Sequence, residues 1–115
     1  MPNYKIILEY EGTKFVGWQQ QENGNSIQGA VQDALFKLSG NKTNVFGAGR
    51  TDAGVHAIAQ TANIKLPSKF SSIEIKQALN GNLKRDVRID SVEEIETDFV
   101  NEYSKKYNLI IINEK

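Results

Sequence analysis

The chain is expected to fold as an α+β sandwich of the ferredoxin-like order β-α-β-β-α-β, two helices lying on one face of an antiparallel sheet. Three observations lead there. Strand-like apolar runs begin and end the chain, two amphipathic stretches with helix caps separate them, and two strand-like runs stand between those helices.

Tyr4 to Tyr10 opens the chain as a strand, with Tyr4, Ile6, Leu8 and Tyr10 sharing one face. Gly12 and Gly17 punctuate a loop, and Asn23-Gly24-Asn25 marks a turn. Ser26 then caps a helix running to about Leu38, whose stripe is Ile27, Val31, Leu35 and Leu38. Gly40 suits the left-handed C-terminal position that stops it. Asn44 to Phe46 reads as a short strand and Gln60 to Leu66 as the next, ended by Pro67. Ser71 with Glu74 three residues on forms a capping box, so a second helix is expected to about Leu83, burying Ile75, Ala78 and Leu79. Val87 to Ile95 is strand-like, and Tyr107 to Ile112 is a final β-prone run. Two helices on one face leave the other face of the sheet for a ligand.

At 115 residues the chain suits one domain, spanning 1–115, with no repeat or linker inside it. It has no cysteine, which excludes disulfides and cysteine-ligated zinc, and its one histidine, His56, excludes a multi-histidine metal site. No run approaches the roughly 18 apolar residues of a membrane span, so a cytoplasmic location is expected and no membrane partner. Fourteen basic and fourteen acidic side chains balance to zero. Nucleic-acid-binding domains usually carry a basic excess, because neutralising phosphates supplies much of the affinity. The charge is uneven, however. Lys84, Arg85 and Arg88 sit together, ahead of an acidic stretch holding Asp90, Glu93, Glu94, Glu96, Asp98 and Glu102. Such a pairing of patches reads first as ordinary solvated surface.

The segment Gly47 to Ala57 carries the chemistry. Its three glycines permit backbone conformations that a side chain would forbid. A phosphate-binding P-loop is excluded, since no Gly-Lys-Ser/Thr stands at the required spacing. A dinucleotide fingerprint fails as well, because it must open a helix and here a strand follows. What remains is Arg50 and Asp52, two residues apart on a glycine-framed loop. A guanidinium within about 4–6 Å holds a carboxylate ionised, and an ionised carboxylate in a cleft can act as nucleophile or base. A glycosidase-like pair would want a second carboxylate at a defined separation, and none is linked by motif to Asp52.

The string Gly49-Arg50-Thr51-Asp52-Ala53-Gly54-Val55-His56-Ala57 resembles the signature of the tRNA pseudouridine synthase A family. The flanks agree: Tyr10-Glu11-Gly12-Thr13 and Phe15-Val16-Gly17-Trp18-Gln19-Gln20-Gln21 resemble the family's first strand and the loop after it. Ser26-Ile27-Gln28 with Ala34-Leu35 resembles its first helix, and Ala78-Leu79-Asn80 its second. The resemblance runs from about Tyr4 to Phe99. It implies an isomerase that converts uridine to pseudouridine at nucleotides 38 to 40 of the tRNA anticodon stem-loop. Asp52 would be the catalytic nucleophile, Arg50 would pair with it and stabilise the flipped target nucleotide, and no metal or cofactor would be needed. His56 is read as a packing and hydrogen-bonding residue. Trp18 is open to two readings, a stacking platform for RNA or an anchor of its loop to the sheet.

After Phe99 the pattern departs. Val100-Asn101-Glu102 stands where the family has His-Ala-Arg, and Tyr107 follows Ser104 at three residues rather than six. Tyr107 is nonetheless carried over as the tyrosine that packs on the target uracil. Family members are about twice as long and work as homodimers, so this chain corresponds to their N-terminal subdomain, with the C-terminal subdomain absent. A more exposed Asp52 and a free strand edge favouring self-association are expected to follow. Two functional readings stand: a synthase that retains its nucleophile loop, or a non-catalytic remnant that folds and binds RNA without turnover.

Overall fold

The computed structural model describes residues 2–20, 24–49 and 51–95, together with the backbone of 111–113. In chain order it contains β1 (Asn3–Tyr10), a single 3-10 turn (Gly12–Lys14), α1 (Ile27–Ser39), β2 (Val45–Gly47), β3 (Val55–Lys65), α2 (Ser72–Asn82), β4 (Val87–Ile95) and β5 (Ile111–Asn113). The sheet runs β2-β3-β1-β4 with every neighbouring pair antiparallel. This is the expected α+β order.

Alternation along β1 builds the core. Tyr4 sits opposite Ile64, Ile6 opposite Ala62 and Leu8 opposite Gln60, so these residues share the inner face, and all six are fully buried. The helices cover that face with their apolar stripes: Ile27, Val31, Ala34 and Leu35 from α1, and Ile75 and Leu79 from α2. Each large aliphatic side chain removed from water contributes roughly 1.5–3 kcal/mol. The helix ends are made as the sequence indicates. The Ser26 hydroxyl accepts from Gly29 N at 2.9 Å, Gly40 closes α1 with its N–H on Phe36 O, and Ser71 and Glu74 form the reciprocal capping box. The opposite face carries Lys5, Ile7, Thr61 and Asn63. It is not bare polar surface, since Asn63 is buried and donates to Asn3 and to Tyr4 O.

Two strands differ from expectation. β3 starts at Val55, inside the glycine-rich segment, rather than at Gln60. Ala53-Gly54 turns the chain, with Val55 N donating to Asp52 O at 3.2 Å, and an irregularity between Leu8 and Tyr10 lets Ala57 pair with Tyr10. Pairing thus continues past the point where alternation alone ends. The last strand, within the described residues, is Ile111–Asn113, paired antiparallel with Val55–Ala57. Ala57 pairs with Tyr10 on one side and Ile111 on the other, so β5 lies on the β2 side of β3. Residues 107–110 of the predicted run lie outside the described residues. No helix among the described residues is long and apolar enough to cross a membrane.

Candidate active site

The site forms at one end of the sheet, where β1 finishes and β3 begins. Two connections meet there: residues 11–18 after β1, and residues 48–54 between β2 and β3. They are laced through backbone groups. Gly17 and Asp52 form an antiparallel bridge, Trp18 N donates to Thr51 O at 3.0 Å, and Gly54 N donates to Phe15 O at 3.4 Å. Gly17 is required by this approach. Its φ is +116°, and a Cβ on it would lie 2.5 Å from Thr51 O. The lacing leaves Asp52 at the surface, with Ala53 beside it: its backbone is clamped to Gly17 while the residue itself is exposed.

Beneath the loop lies a buried polar floor. The Tyr10 hydroxyl and Thr51 Oγ1 are 2.8 Å apart, and both residues are buried. Burial pushes the Tyr10 phenol above its ordinary value, against the hydrogen bonds with Thr51 and Gln60 that pull it down. Gln60, 0% exposed, donates from Nε2 to Gly49 O at 2.6 Å and accepts from Thr61 N at 3.0 Å. The reason for a glutamine here is visible in the sheet. The Thr61 carbonyl takes Ala48 N just beyond the end of β2, and among the described residues no strand carbonyl takes the Thr61 N–H. The Gln60 amide fills that gap and ties down Gly49. Tyr10 and Gln60 therefore hold Thr51 and Gly49, the two neighbours of Arg50.

His56 behaves as a structural residue. Its Nδ1 accepts the Gly12 N–H at 2.8 Å, which fixes β3 to the turn after β1. Glu11 Oε1 lies 3.6 Å from the same nitrogen. A nitrogen that accepts from Gly12 has no proton to offer Glu11, so this contact is not an ion pair while the Gly12 bond stands. The Glu11 carboxyl is held below the usual carboxylate range, first by the Thr13 hydroxyl, then by Thr13 N–H at 3.1 Å. Trp18 is 1% exposed, packed on Tyr10 with ring centroids 6.3 Å apart. Of its two readings the anchor is the right one, because a buried indole has no free face on which to stack a base.

The structure thus brings Asp52, Gly17, Thr51 and Tyr10 together, while Arg50 and Tyr107 lie outside the described residues. The supporting roles of Tyr10, Thr51 and Gln60 were missed in the sequence. The signal for Gln60 was present: a polar side chain in an apolar strand, at a position facing the core, must find partners.

The model of the tRNA pseudouridine synthase family matches residues 6–104. The chain belongs to that family. The match passes Phe99, so kinship extends into the segment where the motif pattern breaks. Among curated relatives, the tRNA pseudouridine synthase A of Afipia carboxidovorans is 51% identical over 84 residues, covering 73% of this chain and 34% of that protein. The protein of the same name from Caldicellulosiruptor saccharolyticus is 42% identical over 118 aligned positions, covering 100% of this chain and 48% of its own length. That from Rhodopseudomonas palustris is 46% identical over 105 positions, covering 90% and 43%. The chain spans about half the length, or less, of these relatives.

Proposed function

We propose that this chain carries the nucleophile of a tRNA pseudouridine synthase, isomerising uridine to pseudouridine at nucleotides 38 to 40 of the anticodon stem-loop. The observation that supports this most directly is the exposed Asp52, on a loop whose backbone is clamped to Gly17. A clamped backbone limits where the carboxylate can sit, and positioning of a reactive group lowers the entropic part of a barrier. The target base must first leave its stack, at a cost of a few kcal/mol. The uracil N1–C1′ bond then breaks, the base turns, and a C5–C1′ bond forms, with the C5 proton released and N1 protonated. Asp52 attacks either the sugar carbon or the base, and both routes return the carboxylate unchanged. Arg50 is assigned to pair with Asp52 and support the flipped nucleotide, and Tyr107 to pack on the uracil. The reaction is redox-neutral, and the reading calls for no cofactor or metal.

Release of tritium from C5-labelled uridine in an anticodon stem-loop RNA tests the reading. The wild-type chain should release label and Asp52→Ala should fall to background. Because Asp52 is exposed, the variant should keep wild-type stability to within about 0.5 kcal/mol. Equal release by both proteins would remove Asp52 from the role. RNA binding without release by either would favour the non-catalytic reading, which the half-length match to the relatives motivates. A cytoplasmic location and self-association through the edge of the last strand, unpaired among the described residues, belong to the same proposal.

A further inference from the structure

We propose that a basic groove next to the Asp52 loop binds the phosphodiester backbone of RNA flanking the target nucleotide. A cavity of about 620 Å3 opens between the first turns of α1, the connection after β1 and the link from α2 to β4. Lys14, Lys37, Lys84 and Arg85 line it, against two carboxylates, Asp33 and Asp86. Among the described residues none of these four cations lies within ion-pair distance of a carboxylate, although Lys14 acts on Glu11 from further off, whereas Lys5, Lys69 and Arg88 pair with Glu93, Glu94 and Asp90. A surplus of two positive charges is gathered here in a chain whose formal net charge is zero. Lys84 and Arg85, which look like ordinary solvated surface in the sequence, are brought by the fold to face Lys37 of α1 and Lys14 of the first connection across one cavity.

The groove and the Asp52 loop share a wall. Phe15 lines the groove, and its carbonyl accepts the Gly54 N–H, two residues beyond Asp52. Val16 N binds Asn25 O, which fixes the far lip of the cavity to that same wall. An RNA strand with one nucleotide at Asp52 would pass this shared wall before meeting the cations.

The means of binding also follows. The first N–H groups of α1, often a phosphate cradle, are already used: Ile27 N by Gly17 O, Gln28 N by Trp18 O, Gly29 N by Ser26 Oγ and Ala30 N by Ser26 O. The anion is therefore left to side chains, the four cations first, with the amides of Gln20, Asn25 and Asn82 also on the lining. Such contacts carry no sequence information and respond strongly to salt. The groove thus supplies affinity and register, leaving the choice of nucleotide to the site itself.

This inference rests on the RNA reading of the previous subsection, so the test separates the two. Binding of a fluorescent anticodon stem-loop RNA is followed by anisotropy from about 50 to 200 mM salt. Each neutralised phosphate contributes roughly 0.7–0.9 to the slope of log K against log salt. The double variant Lys84→Ala/Arg85→Ala should therefore flatten the slope by about 1.5, so that wild-type affinity falls about eight-fold more than the variant's over that range. Arg85→Lys alone should keep the wild-type slope, as should Asp52→Ala, and so should Lys42→Ala/Lys76→Ala, which removes two exposed lysines outside the groove. An unchanged slope in the Lys84/Arg85 variant, or no RNA binding by the wild-type chain at about 50 mM salt, would overturn the groove. Tritium release that depends on Asp52 would then still stand by itself. Conversely, a flattened slope without release by the wild type keeps the groove and removes the catalytic reading.

Discussion

Replacing Gln60 by Met tests whether the polar floor, rather than the glycine loop alone, holds the candidate site. The two side chains are similar in length and volume, so the change leaves little cavity and isolates hydrogen bonding. Three groups lose a partner: the Gly49 carbonyl, the Thr61 N–H, and the Tyr10 hydroxyl, which keeps Thr51. Thr61 is 2% exposed, so its amide bears nearly the full desolvation cost, roughly 1–3 kcal/mol. Gly49 is half-buried, and water can replace much of what its carbonyl loses. The expected loss is about 2–3 kcal/mol in total, a large share of the roughly 5–15 kcal/mol that stabilises a typical domain. Urea unfolding measures it: the midpoint should fall by about 1–2 M with the slope unchanged. Gln60→Glu adds a pH signature. It keeps an acceptor for Thr61 but turns an oxygen towards the Gly49 carbonyl, so the buried carboxyl should be neutral in the fold, with its pKa raised. For such a group the folded protein holds the proton after the unfolded chain has lost it. Stability should then be highest below the ordinary Glu value of about 4.3 and fall as pH rises towards the raised one. A Met variant that loses less than about 0.5 kcal/mol, or a Glu variant indifferent to pH, would refute the reasoning.

Other outcomes follow from the same geometry. In Gly47→Ala the new Cβ would stand 2.6 Å from the indole Cε2 and Nε1 of Trp18, so the ring must shift; a loss of about 1–3 kcal/mol is expected, and a red shift in the emission of the chain's one tryptophan checks it. The Tyr10 phenol is raised by burial, so the folded state keeps its proton while the unfolded state loses it near pH 10. Stability from this group is therefore complete below about pH 10 and declines as pH climbs from there; alkaline denaturation of wild type against Tyr10→Phe should show the variant to be the less pH-sensitive of the two. Sedimentation velocity across micromolar concentrations should find the isolated chain self-associating, and a single monomeric boundary throughout would count against the free-edge argument.

How much of this could be read from the sequence depended on whether a feature was local. Caps and stripes involve residues three or four apart, and both helices were legible to within a residue or so: Ser26 and Ser71 cap as the pattern requires, and Gly40 ends α1. The start of β3 was not legible, because Val55 to Ala57 becomes strand only through pairing with Tyr10 and β5, and neither partner is encoded nearby. The site divides along the same line. Asp52 could be singled out as a candidate because its motif is contiguous. Gln60 was hidden because its purpose is set by where β2 stops, which leaves the Thr61 amide without a strand partner, as only the assembled sheet reveals. The groove cations lie further apart still. Lys14 and Arg85 are separated by most of the chain, so no short sequence window shows them together. Zero net charge therefore does not count against the proposed polyanion binding. What matters to a phosphate is the field within roughly a Debye length, about 8–10 Å at moderate salt. The fold sets that field by gathering four cations about one cavity while it pairs others with Glu93, Glu94 and Asp90.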